Sequence, residues 1–304
     1  MTPKTKRMNQ NDACNLDAEK ARKAERAAKA RETMRKNMLA LETRAADILE
    51  KGDSMTAEDR RALLNIVNVA YHSSGKIEGC WSVDSSASCE FCKRMIAAGA
   101  ENMLIICRAC YAAADAWKEA AWRRHCLNAR ILSTVLFTAE ELTALEIPGE
   151  RCRFNEDGDT VNQTHAQNLL RIAETRPGCM FGYWYKNAPA VEAGLHAEGI
   201  HTRENLPANI RFIHSALLIG FPPAALWFDD ALFVVYPDAS TTAAAIKAGA
   251  HKCNGKRCRA CGYWCYMHQR QEKPRIIAEV LRVRENERAA YVAAYAAHLE
   301  KISR

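Results

Sequence analysis

Cys179-Met-Phe-Gly-Tyr-Trp-Tyr185, closed by Lys186, is an unbroken apolar and aromatic run. Its length and its aromatic content suit a strand buried on both faces. Two runs of the same kind follow, NIRFIHS at Asn209–Ser215 and ALFVVY at Ala231–Tyr236. Ahead of them, Arg151–Asn155 reads as a strand that ends in Asp157-Gly158-Asp159. The stretches between have helical patterning: Asn162–Thr175, Pro189–Glu198 and, after the last run, Thr241–Gly249. Strands alternating with helices of this length imply βα units and a parallel sheet. Four visible units are too few to close an eight-stranded barrel. The expected fold is therefore α/β, an open or partial (β/α) barrel with a parallel sheet. Pro274–Val283 reads as a last strand before a C-terminal helix that runs to Ile302.

Outward from this centre the patterning weakens. Residues 17–50 read as one or two helices with Asp17 as a cap, rich in Ala, Lys, Arg and Glu up to Gly52. Alanines stand where a core helix would carry large apolar groups, so Asp17–Lys36 is expected to be a solvated helix or arm. A helix is predicted from Thr56 to about Tyr71, with Leu63, Leu64, Val67 and Ala70 on one face. Ser73–Ser88, with Gly75, Gly79 and six serines, reads as loop. Ala112–Ser133 has helical periodicity again, through Trp117, Ala121, Trp122, Cys126, Ala129 and Leu132. The division that results is a helical N-terminal extension over 1–75, a cysteine-rich α/β domain over 76–283 and a C-terminal helix over 284–304.

The chain has 304 residues, 48% apolar and 26% charged, the composition of a soluble globular protein. Its apolar runs are too short to span a bilayer, and its basic N-terminus leads into charged sequence with no signal-peptide core. A cytoplasmic location is expected. The net charge of +7 is concentrated near the C-terminus. Residues 251–304 hold twelve Lys/Arg and five Asp/Glu, a difference of +7. Five of those cations and no acid lie between His251 and Gln271. They read either as a nucleic-acid footprint or as compensation for nearby thiolates.

Thirteen cysteines are many for such a chain, and eight fall into two compact sets. Cys89-x2-Cys92-x14-Cys107-x2-Cys110 has two CxxC turns, each of which aims two thiolates at one point, near zinc-ribbon spacing. Cys253-x4-Cys258-x2-Cys261-x3-Cys265 is tighter and contains Gly255 and Gly262. All-thiolate sets of this kind suit zinc or an iron–sulfur cluster, and spacing does not choose between them. Cys14, Cys80, Cys126, Cys152 and Cys179 are scattered and read mostly as small buried hydrophobes.

Asp157, Asp159, Lys186 and Ser215 fall at or just past the C-terminal ends of predicted strands, the edge where parallel α/β folds gather functional groups. They are the candidate catalytic residues. Lys186 is also a candidate for binding an anionic substrate or a cofactor carboxylate. The competing readings are a turn with a helix cap for Asp157-Gly-Asp159 and a surface amine for Lys186. Arg153 and His214, within strands, are expected to share that mouth. Core packing is expected for Tyr183, Trp184 and Tyr185.

In order along the chain stand SCEFCKRM from Ser88, ICRACYAAADAWKEAAWRRHCLNARIL from Ile106 with its Cys-Tyr-Ala step and Asn128, and RFNEDGDT from Arg153. GYWYKN, FIHSA, ALFVVYPD and CNGKRCRACGYWCY follow, ending at Tyr266. This succession resembles a family of cysteine-rich bacteriophage proteins, gene-product-eighty-eight-like, grouped loosely with radical-SAM-like proteins. The resemblance implies a barrel-like α/β fold, an iron–sulfur cluster of the 4Fe-4S kind, and a phage or prophage origin with residence in the host cytoplasm. Radical SAM enzymes carry a CxxxCxxC loop whose three thiolates leave one iron open to S-adenosylmethionine. Here Cys258-x2-Cys261-x3-Cys265 has that spacing reversed, and four closed ligands per site would argue against S-adenosylmethionine chemistry. Two functions therefore stand side by side. One is an iron–sulfur, radical-SAM-like protein that modifies a nucleotide, nucleic acid or peptide. The other is a zinc-stabilised protein that binds nucleic acid or a host factor without catalysis.

Overall fold

The apolar runs align side by side in one sheet. The structure is a computed structural model that describes residues 10–73, 78–85, 103–109, 119–253, 264–266, 270 and 272–302. Its strands are β1 (Ala70–Tyr71), β2 (Trp81–Ser85), β3 (Arg151–Gly158), β4 (Met180–Tyr185), β5 (Ile210–Ser215), β6 (Ala231–Tyr236), β7 (His251–Lys252) and β8 (Arg275–Val280). They are ordered β1-β2-β3-β4-β5-β6-β8-β7. Only the β1–β2 pair is antiparallel among them. From β2 to β6 the spatial order is the chain order. Each crossover thus steps to the next strand in the same direction, and the right-handed rule sends the crossover helices to one face.

That face, here the back face, is covered by α3 (Glu119–Thr134), α5 (Gln163–Glu174) and α6 (Ala188–Ala197), with the short α4 (Ala139–Leu142) between α3 and β3. Leu127 and Ile131 of α3, Leu169 and Ile172 of α5, and Val191 and Leu195 of α6 share one core with Val83, Phe154, Phe181, Tyr183 and Phe212 of the strands. Each such aromatic or branched side chain contributes roughly 1.5–3 kcal/mol on burial. Gly194 explains the close seating of α6, because a Cβ there would stand 2.4 Å from the Cβ of Ala166 in α5. Asn162 caps α5 by accepting from the His165 backbone N–H. Toward the C-terminus α7 (Ala239–Lys247) covers Val234 and Ala278, and α8 (Glu285–Ile302) places Tyr291 against Leu104, Ile219 and Leu281.

The N-terminal segment departs from expectation in three places. The one or two helices expected are a single helix, α1 (Gln10–Leu49), but it begins before Asp17, which lies inside it rather than capping it. Its side chains described from Glu19 to Asn37 are exposed, while Met38, Ala45 and Ile48 are buried. The predicted helix to Tyr71 ends early. α2 (Ala57–Leu64), opened by a Thr56–Asp59 capping box, stops at Leu64, and Ala70–Tyr71 pairs with β2. The serine-rich stretch read as loop contains β2. Asn128 accounts for both corrections. Wholly buried, it accepts from Asn68 N and donates to Asn68 O and Asp84 O, which satisfies non-helical backbone inside the fold.

Candidate functional site

Side-chain alternation sends Ser82, Asp84, Arg153 and Trp184 to the front face, opposite the crossover helices. There Trp184, Ile213, Ala231 and Ile277 form an apolar cluster, with Phe233, Cys253 and Cys265 packed against it. Cys253 follows β7, where its N–H donates to Ala278 O. Cys265 belongs to the turn Trp264–Tyr266. The first and last cysteines of the second set thus both pack against one cluster. Cys258 and Cys261 lie outside the described residues, as do Cys89, Cys92, Cys110 and the side chain of Cys107. Cys80, Cys152 and Cys179 are buried as expected, and Cys126 is half-buried. Burial pushes the Cys152 thiol up and the Cys179 thiol up to about 12, which makes both inert at neutral pH.

Beside this cluster, at the C-terminal ends of β2 and β3, is a polar corner that the sequence did not announce. The β2–β3 register shifts between Val83 and Ser85, and Asn155 takes a left-handed φ of 57°. This bulge turns the Glu156 and Asp157 N–H groups onto Asp84 Oδ1, at 2.7 and 3.3 Å. Asp84 Oδ2 accepts from Ser82 Oγ at 2.6 Å. His72 Nε2 lies 2.7 Å from Ser82 Oγ and 3.3 Å from Glu156 Oε2. His125 of α3 stands between two carboxylates, 3.9 Å from Asp84 Oδ2 and 3.9 Å from Asp157 Oδ2. Burial lowers the proton affinity of His72. Its ligand-type residues, His72, Asp84, His125 and Glu156, are too far apart in sequence to form a motif.

The four candidate catalytic residues all lie at the C-terminal edge of the parallel strands, where Asp159 and Lys186 are neighbours and Asp157 and Ser215 have other surroundings. Asp157 joins the polar corner through His125. Asp159 is wholly buried and accepts backbone N–H bonds from Thr160, Lys186 and Asn187, at 2.8–3.3 Å. It ties the β3 loop to the start of α6. Burial pushes its carboxyl up, against the pull of Lys186 and those N–H groups. Lys186 is half-buried beside it. Ser215 is one strand further along, opposite Phe233 of β6. Arg153 and His214 do not share a mouth. The Arg153 guanidinium sits 4.1 Å from the Trp184 ring centre on the front face. His214 stacks on Tyr185 on the back, with Nδ1 3.3 Å from Asp229 Oδ2. Tyr185 Oη also bonds to Asp229.

Comparison with protein-family models, with curated proteins and with solved structures gives no match to this chain. No helix among the described residues is long and apolar enough to cross a membrane.

Proposed function

We propose that this chain is a cysteine-ligated metalloprotein, an iron–sulfur protein of radical-SAM-like, phage type. Its sheet would be a partial (β/α) barrel, its second cysteine set would sit at the front face, and its substrate would be a nucleotide, nucleic acid or peptide. One observation carries the reading. Cys253 and Cys265, the two ends of a four-thiol set, pack against the same front-face cluster from a strand end and a separate turn. The sequential order of β2 to β6 supports the barrel part, because only a singly wound sheet keeps the face opposite its crossover helices for a cofactor. Cys258 and Cys261 would complete the ligand set, and a bound cluster would supply redox or Lewis-acid chemistry. The chain's own residues contribute an apolar seat of Trp184, Ile213 and Phe233, against which Cys253 and Cys265 pack.

Anaerobic purification with iron, acid-labile sulfide and zinc quantitation tests this. Iron and sulfide in matching amounts are expected, with absorbance near about 400 nm, and both should fall in Cys253→Ser and Cys265→Ser. Zinc without sulfide would replace the reading with the zinc-stabilised binding protein. Protein free of both metals would end both readings.

A further inference from the structure

We infer that His72, Asp84 and Glu156 form a second kind of metal site, an imidazole–carboxylate site for one divalent first-row cation, separate from the cysteine sets. One ligand atom from each of the three lies within 4.8 Å of the other two. A cation bound by nitrogen and oxygen at about 2.0–2.2 Å draws such atoms together with only small side-chain movement. Asp84 is held in place for the task. Its Oδ1 is fixed by two backbone N–H groups, and the Ser82 hydroxyl orients its Oδ2. The β3 bulge brings Glu156 to the same point, and a left-handed non-glycine residue at such a bulge is backbone strain of the sort found at functional sites.

The charge balance argues the same way. Asp84, Glu156 and Asp157 bring three carboxylates to the corner, and the nearby guanidinium is Arg153, which is engaged with the Trp184 ring. Three carboxylates and that one guanidinium sum to about −2 before the imidazoles are counted, the charge a dication offsets. Imidazole with carboxylates suits manganese, iron or zinc, whereas the cysteine sets prefer softer ions, so Mn²⁺ is the probe that separates them.

The full-length protein, with its cysteine-bound metal in place, is titrated with Mn²⁺ while free Mn²⁺ is read by electron paramagnetic resonance. One saturable site is expected. It should weaken by at least about tenfold in Glu156→Gln and in His72→Gln, with the cysteine-bound metal and the melting temperature retained. Where a variant does not fold, sub-stoichiometric Mn²⁺ on the unaltered protein decides, by selectively broadening the His72 and His125 ring signals. No saturable site, equal affinity in both variants, or no selective broadening overturns the inference. None of these outcomes depends on whether the cysteine sets hold iron or zinc.

Discussion

Gly182 of β4 lies directly under Tyr266, so that a Cβ at 182 would stand 3.2 Å from Cε1 of the tyrosine ring and 3.1 Å from the Cys265 carbonyl oxygen. The turn carrying the last cysteine of the second set rests on a strand at the one point where that strand has no side chain. The absence of a side chain therefore sets how close Cys265 comes to the sheet.

Gly182→Val should lift that turn. The added carbons overfill a contact that already admits no Cβ without movement, and overpacking of this kind costs typically about 1–3 kcal/mol. The expected outcome is a lower melting temperature together with lost metal at the second cysteine set. Metal content per chain and thermal unfolding check it. A valine variant with full metal and an unchanged melting temperature would show that the turn and the ligand set are not mechanically linked.

His165 should make the fold acid-sensitive. It is wholly buried, its Nδ1 accepts the Val161 N–H at 3.2 Å, and burial pushes its imidazole down to about 3 from an ordinary 6.5. The unfolded chain binds this proton below about pH 6.5 and the folded chain does not. Stability is therefore full above that pH and is lost as pH falls toward 3, at up to about 1.4 kcal/mol per pH unit. His165→Leu removes the titration but also the acceptor for Val161. It should be less stable near neutrality, and its loss between about pH 6.5 and 5 should be smaller by about 2 kcal/mol. Urea unfolding at both pH values measures this. Parallel pH dependences in the two proteins would show that His165 already charges in the folded state.

β3 and β8 were read from the sequence with looser bounds, and the most legible strands were β4, β5 and β6. CMFGYWY, NIRFIHS and ALFVVY announce themselves because both sides of each strand are packed, and β4, β5 and β6 begin and end within a residue of where those runs do. β2 was not legible, because its front face is polar. Ser82 and Asp84 alternate with Val83 in a stretch dense in serine and glycine, and the strand is stable only through β3, β1 and Asn128. The polar corner was hidden for the same reason. Glu156 reaches Asp84 only because of the bulge at Asn155, and a register shift leaves no mark in composition. Asp159 shows the converse. It stands just past the end of β3, as read, and its carboxylate also accepts backbone N–H bonds at the start of α6, a long-range contact that no local pattern encodes.

Arg270 is the member of the basic segment that the structure ties into the fold. Its guanidinium donates to Asp230 Oδ2 at 2.8 Å and to the Pro207 and Ile210 carbonyls at 2.9 and 3.0 Å, and Arg203 closes the other side of Asp230 at 3.3 Å. Of the five cations between His251 and Gln271, it is thus committed to the fold. Lys252 is exposed, and Lys256, Arg257 and Arg259 lie outside the described residues. Four thiolates around one dication sum to about −2, so four remaining cations leave a surplus of about two for a polyanion. The Lys256→Ala, Arg257→Ala, Arg259→Ala triple variant should therefore flatten the salt dependence of oligonucleotide binding, lowering the log–log slope by about two, with metal content intact. Arg270→Ala should instead leave that slope alone and destabilise the fold by about 1.5–3 kcal/mol, because it removes one of two guanidinium partners from a buried carboxylate. Fluorescence anisotropy across about 50 to 300 mM salt reads the first effect, and denaturant unfolding reads the second. Wild-type binding that does not change with salt would reduce the segment's charge to thiolate compensation.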